Sequence, residues 1–242
     1  MHFKCIIINT SNQMKGSGLP NHIAIIPDGN RRWAKERNLP TLEGHRRGLD
    51  AILKVGRYLR DKGVITLTAW GFSTENWNRS QGEINYLMEL FMHMFDDLKE
   101  YKKHEVRFTH LGRKDRLPKK LIEKISFFEN ETANYNKYFF NLALDYGGRD
   151  EIMRAVNRCL DEEVKLVDQE KFAQYLDTSN QPYPYPDLVV RTGGEQRLSG
   201  YLLWQIEYAE LVFLKEYLPD LTPKLMNQVL EDYVNRQRRF GR

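Results

Sequence analysis

The chain has 242 residues, with 37 Lys plus Arg against 33 Asp plus Glu and a formal charge of +4. Apolar residues make up 41%, charged residues 29% and aromatics 12%, which excludes a disordered chain and allows a large core. No stretch approaches the roughly 20 apolar residues that span a bilayer, and Cys5-Ile6-Ile7-Ile8 is too short for a signal-peptide core, so the chain is expected in the cytoplasm.

Residues 1–20 read as a flexible N-terminal extension, polar and aperiodic and ending in Gly16-Ser17-Gly18, with 21–242 as a single domain. Ile23-Ala24-Ile25-Ile26 is a short apolar run, the mark of a strand buried on both faces. A helical segment follows Asp28-Gly29-Asn30, and a second helix is expected from about Gly44 to Asp61, closed by Gly63. Val64 to Phe72 reads as a strand. Ser80-Gln81-Gly82-Glu83 has the form of a capping box, opening one long helix with Ile84, Leu87, Met88, Phe91, Phe95 and Leu98 on one side. Strands are expected at Val106–Leu111, Tyr138–Leu144 and Asp187–Val190. Helices are expected from Pro118, over Asp150–Glu163, and over Thr222–Arg238. Strands alternating with helices predict an α/β fold, a single domain with a mostly parallel central sheet and helices on both faces. Two cysteines, Cys5 and Cys159, are too few for a disulfide framework or a zinc site.

Ligands of open α/β sheets sit at the carboxyl ends of the strands, and unusual segments fall there. Pro27-Asp28-Gly29-Asn30-Arg31-Arg32-Trp33 joins a tight turn and a helix start, which hold anions, to two arginines. Asp28 would repel an anion unless a metal ion lies between them, and Mg²⁺ takes one carboxylate plus phosphate oxygens; a plain Asp-Gly turn is the competing reading. Gly71 through Arg79 is polar and aromatic at once, suiting a charged head with an apolar tail, although it also serves as a helix N-cap region. Arg191-Thr192-Gly193-Gly194-Glu195-Gln196-Arg197-Leu198-Ser199 offers close backbone approach and arginines at both ends, able to grip one diphosphate; a glycine loop with surface arginines is the alternative. The tail Arg236–Arg242 is basic, as solvated ends often are. Helices rich in Leu, Met and Phe lie between these segments. Together they point to an enzyme handling Mg-diphosphates attached to something apolar. The G-x-x-x-x-G-K-[ST] nucleotide loop is absent, and Asp96-Asp97-Leu98-Lys99-Glu100 lacks the final Asp of a D-D-x-x-D box.

These segments resemble the cis-prenyltransferases, the undecaprenyl diphosphate synthase family, from about Asn21 to Gly241. The resemblance rests on His22–Asn30, Phe72–Trp77, Asp145-Tyr146-Gly147-Gly148-Arg149, Arg191–Ser199 and Tyr208-Ala209-Glu210-Leu211, five motifs in order. It implies repeated condensation of isopentenyl diphosphate onto an allylic diphosphate, usually farnesyl, by a homodimer. Asp28 would carry Mg²⁺, with Glu210 as a second ligand from its own or the partner subunit. Gly29, Asn30, Arg31, Arg32 and His45 would hold the allylic diphosphate with Trp33 beside them. Arg191, Arg197, Leu198 and Ser199 would hold isopentenyl diphosphate. Ser73, Thr74, Glu75, Trp77 and Arg79 would line the substrate site. Asn76 is the family's candidate for proton removal, but an amide does not titrate near neutral pH, so it orients substrate instead. Arg239 and Gly241 would reach the neighbouring subunit's site. Many relatives have Gly where Arg31 stands, Asn where Gly200 stands, and Arg near Thr41, a charge that Arg37 is near enough in sequence to replace. The resemblance also implies transient contact of the product with a membrane surface and no nucleic-acid partner. Two other classes compete: a non-catalytic partner subunit, expected to lack Asp28, and a nucleic-acid binder, which gives Asp28, Glu210 and the paired glycines no role.

Overall fold

The computed structural model describes residues 18–236. Cys5, residues 1–17 and the tail with Arg238, Arg239 and Gly241 lie outside the described residues. In chain order the elements are β1 (His22–Ile26), α1 (Asn30–Glu36), α2 (Thr41–Asp61), β2 (Thr66–Ser73), α3 (Gln81–Met94), α4 (Leu98–Lys103) and β3 (Val106–Leu111). Then come α5 (Lys119–Thr132), β4 (Tyr138–Tyr146), α6 (Gly148–Asp161), α7 (Gln169–Ala173), β5 (Leu188–Arg191), β6 (Glu210–Phe213) and α8 (Pro223–Asn235). The six strands form one sheet in the order β3-β4-β2-β1-β5-β6, and every pairing among them is parallel. The expected α/β fold is therefore present.

β1 is central, and all five of its residues are buried. Its alternate side chains divide between two cores, as the period of a strand requires. Ile23 and Ile25 join Leu67, Ala69, Phe140 and Leu142 under α2, α3, α5 and α8. Ala24 and Ile26 join Trp70, Ala143, Tyr146 and Tyr201 on the opposite face. Leu19 packs against the first core, so the packed body begins just ahead of Asn21. Parallel pairing puts the carboxyl ends of β1, β2 and β5 at one edge, and the pairing of Ile26 with Arg191 sets the loops after β1 and β5 side by side.

Two expectations are corrected. The single long helix through Leu98 is two helices: α3 ends at Met94, and the Asp97 carboxylate accepts from the Glu100 N–H (3.3 Å) and starts α4. Such an N-cap competes with helix continuation, while Phe95 stays buried in the break. The chain also contributes β6, a sixth strand with no helix before it. It spans four residues, is half-exposed and stands at the sheet edge, too short for a period-2 pattern to show.

A polar chain crosses the interior with a defined direction. The Asn141 amide donates to Thr68 Oγ1 (3.0 Å), the Thr68 hydroxyl to His22 Nε2 (2.7 Å), and His22 Nδ1–H to the Tyr183 carbonyl (2.7 Å). That order requires a neutral imidazole, and burial pushes His22 down to about 4. Burial likewise pushes His110 down to about 4; its Nε2–H donates to the Leu144 carbonyl (3.0 Å).

Candidate active site

The loop after β1 is locked in place by its backbone. Asp28 N–H donates to Thr192 Oγ1 (2.8 Å), and the Thr192 hydroxyl donates back to the Asp28 carbonyl (2.8 Å). Gly29 has φ +98°, and a Cβ there would stand 2.3 Å from the Tyr217 ring, so only glycine fits. The Asp28 carboxylate, about a quarter exposed, accepts from Arg191 Nη2 (2.8 Å) and from Arg32 Nη2 (3.1 Å). Arg32 also reaches Glu195 (3.5 Å), tying the loops after β1 and β5 together. Gly193 permits this approach: a Cβ would lie 2.8 Å from Arg32 Nη2.

α2 and α3 bring a second charged group to the same edge. His45 Nε2–H donates to Glu83 Oε1 (2.9 Å), and Arg79 Nη1 donates to the same oxygen (3.0 Å). Burial lowers the His45 pKa from its ordinary value, outweighing the bond to Glu83 that raises it. Burial pushes the Glu83 carboxyl up, but the His45 hydrogen bond and the Arg79 charge outweigh it and hold its pKa below the ordinary value. Ser80 Oγ does accept from the Glu83 N–H (3.4 Å), but the Glu83 side chain serves His45 and Arg79, so half of the expected capping box forms. The reciprocal box stands earlier, where the Ser73 N–H donates to Asn76 Oδ1 (3.1 Å). Trp77 Nε1–H donates to the buried carboxylate of Asp145 (2.9 Å), which Arg116 also grips.

Arg191 is the centre of the third group. It is 5% exposed, and its Nη1 donates to Ser199 Oγ (3.0 Å) and to the Arg197 carbonyl. Among the described residues its buried Nε–H has no acceptor. Arg197 pairs with Glu195 (2.5 Å).

Two continuous cavities occupy this edge. The outer one is lined by Asp28, Gly29, Asn30, Arg31, Arg32, Lys35, Thr41, His45 and Arg79. The inner one shares Asp28, Asn30, His45 and Arg79 and continues past Ser73, Glu75, Asn76, Arg191 and Ser199 to Leu49, Ile52, Gly71, Leu87, Phe91 and Leu142. A charged mouth thus opens onto an apolar groove between α2 and α3.

Known proteins share this fold and much of this sequence. A family model for undecaprenyl diphosphate synthase matches residues 26–241. An isoprenyl transferase of Fusobacterium nucleatum is 44% identical over 92% of this chain and 96% of its own. One from Aquifex aeolicus is 42% identical over 93% and 96%. A lavandulyl diphosphate synthase from Lavandula x intermedia, solved with dimethylallyl diphosphate, is 35% identical with a TM-score of 0.89, covering 93% of this chain and 99% of its own.

The chain belongs to the undecaprenyl diphosphate synthase family.

It is a prenyltransferase of the cis type, and its cleft collects most of the residues singled out from the sequence. Trp33 is turned toward Asp220, to which its indole N–H donates (2.8 Å). Thr74 donates to Glu75 (2.9 Å), and Leu198 packs against the second core. Glu210 stands opposite Leu188, at the far end of β5 from Arg191, where it pairs with Arg236 (2.9 Å); within one chain it is not beside Asp28. Arg37 stacks on Trp33 (4.5 Å) and pairs with Asp220 (3.3 Å), away from the mouth. Two contributors escaped the sequence reading. The Glu83 carboxylate was hidden by its capping-box spacing, and Thr192 stood within the Arg191–Ser199 loop with no role of its own. The prenyltransferase also has a deeper apolar cavity, lined by Ile52, Gly56, Leu59, Met94, Tyr101 and Tyr138. It shares Ile52 with the inner cavity and lies toward the amino ends of β2, β3 and β4. Among the described residues no helix is long and apolar enough to cross a membrane.

Proposed function

We propose that this cis-prenyltransferase condenses isopentenyl diphosphate repeatedly onto an allylic diphosphate, with farnesyl diphosphate as primer, to make a long-chain polyprenyl diphosphate such as undecaprenyl diphosphate, a cell-wall lipid carrier. The observation that carries this reading is Arg191. One guanidinium joins Asp28 to Ser199 at the point where the charged mouth meets the apolar groove. The relative solved with dimethylallyl diphosphate supports an allylic diphosphate as one substrate.

Among the described residues no group of three or more His, Cys, Asp or Glu could hold a metal ion. A lone, partly exposed Asp28 fits a cation shared with phosphate oxygens, and Mg²⁺ suits that donor set. When bound, Mg²⁺ would neutralise charge on the departing diphosphate. Asn30, Arg31, Arg32 and His45 would hold the allylic diphosphate at the mouth with its chain in the groove. Arg191, Arg197 and Ser199 would hold isopentenyl diphosphate against it. The allylic C–O bond breaks, a C–C bond forms, and the proton lost from the isopentenyl unit passes to the departing diphosphate. Asn76, held by Ser73, orients the substrate. Incubation with Mg²⁺, farnesyl diphosphate and labelled isopentenyl diphosphate, followed by sizing of the product, tests this; no elongation, or elongation undiminished by a chelator, refutes it.

The active enzyme is proposed to be a homodimer with composite sites, into which Glu210, Arg239 and Gly241 reach from the neighbour. Removal of residues 237–242 should cut turnover and leave the melting temperature unchanged. Mixed dimers of that chain with an Asp28→Ala chain should regain about one working site. The enzyme is proposed to act in the cytoplasm, touching the membrane surface as its product lengthens, and to bind no nucleic acid; affinity for DNA at physiological salt would refute that last point.

A further inference from the structure

Among the described residues no salt bridge reaches Arg31 or Lys35 at the outer part of the mouth, although Arg31 feels the Glu83 carboxylate electrostatically. Arg31 and Lys35 are four residues apart on α1 and so lie on one face of the helix, and both line the outer cavity. Every carboxylate near them is engaged elsewhere. Asp28 is held by Arg32 and Arg191. Glu36 accepts from the Tyr217 hydroxyl (2.5 Å). Glu43 accepts from Arg46 (2.6 and 2.9 Å) and from Arg47 (2.8 Å). Glu83 serves His45 and Arg79. Two other side chains of α1 are turned away: Trp33 to Asp220 and Ala34 into the core. Arg37, the sequence-level candidate for extra charge, is held by Asp220 and Trp33.

The order of the cavities gives Lys35 a role distinct from its neighbours. Asp28, Asn30, His45 and Arg79 line both the inner and the outer cavity, so they meet the phosphate nearest the apolar groove. Arg31, Arg32, Lys35, Leu39 and Thr41 line the outer cavity, where the far phosphate of a diphosphate lies. We infer that Lys35 binds the terminal phosphate of the allylic substrate and so makes the mouth select a diphosphate over a monophosphate. This inference rests on the proposed function. A flexible ammonium at an exposed position suits a group that must be gripped on entry and released with the departing diphosphate.

Calorimetric titration of farnesyl diphosphate and farnesyl monophosphate, with Mg²⁺ and without isopentenyl diphosphate, tests it. In Lys35→Ala the diphosphate should bind roughly tenfold more weakly, the scale of one charge-assisted contact at a solvated site. Monophosphate affinity should stay within about twofold, and Lys35→Arg should restore the diphosphate preference. Lys35 is exposed on its helix, so alanine there leaves the fold intact, which an unchanged melting temperature confirms. Diphosphate affinity unchanged in Lys35→Ala overturns the inference, as does equal loss of both ligands. If the wild-type protein binds neither ligand, the proposed function itself fails.

Discussion

The mouth of the cleft and the groove behind it are built on opposite terms. At the mouth, charged side chains hold one another: Asp28 between Arg32 and Arg191, Glu83 between His45 and Arg79. In the groove, Leu49, Ile52, Leu87 and Phe91 line empty space continuous with the main core. Changes at the mouth should therefore act on affinity and turnover with little effect on stability. Changes toward the groove should act on packing and on the length of chain that fits.

The sharpest break is Asp28→Ala. Removing the one carboxylate at the centre of the mouth should lower turnover about a hundredfold or more and leave the fold intact. Normal elongation by this variant would mean the site is elsewhere.

Buried histidines give the stability a pH dependence. His22 and His110 have pKa values of about 4 in the folded protein against an ordinary 6.5. The unfolded chain therefore takes up these protons first as pH falls. Stability should be constant above about pH 6.5 and fall from there toward pH 4, by up to about 1.4 kcal/mol per pH unit for each proton. Denaturant titrations across this range should show that slope, and His110→Gln should flatten it. His45, whose pKa burial also lowers, adds to that slope, and His45→Gln should in addition weaken the allylic substrate.

The arginines at the end of β5 and in the loop after it divide by what they touch. Arg197→Ala should raise KM for isopentenyl diphosphate by about tenfold and spare the allylic substrate. Arg191→Ala should do the same and also lower kcat, because Arg191 orients Asp28. Equal effects of Arg197→Ala on both substrates would indicate one shared anion site.

Glu83→Gln weakens the acceptor shared by His45 and Arg79. Allylic KM should rise several-fold, about the value of one charge-assisted hydrogen bond in a partly solvated site. An unchanged KM would reduce Glu83 to a helix-start residue.

The smallest effect is expected at the inner end of the apolar path, where Tyr138 is half-buried against the deeper cavity. Tyr138→Ala should lengthen the product by about one or two isoprene units, if roughly the volume of the lost ring is what limits the chain. Product sizing by chromatography decides it.

Much of this was legible in one dimension. The apolar run Ile23–Ile26 could only be a strand covered on both faces, because nothing in it can face water. The loops rich in Gly, Asp and Arg could be assigned to the ligand edge because a parallel sheet puts all its carboxyl ends on one side. Two local features were misjudged. Asp97 starts a new helix where periodicity ran on unbroken, because side-chain capping competes with a pattern that counts only apolar residues. β6 was missed because four half-exposed edge residues carry too little alternation.

The sequence by itself determined the fold class, the identity of the charged loops and the family. Each follows from local chemistry: strand runs, turn residues and motifs a few residues long. Tertiary structure decided which charges are spoken for. Glu83 turns from capping to holding His45 because α2 and α3 pack side by side. Arg37 is drawn to Asp220, 183 residues away in sequence, and is lost to the mouth, whereas Lys35, two residues earlier, faces it. Whether a side chain is paired or free depends on distances between elements remote in sequence, and no spacing along one chain records those.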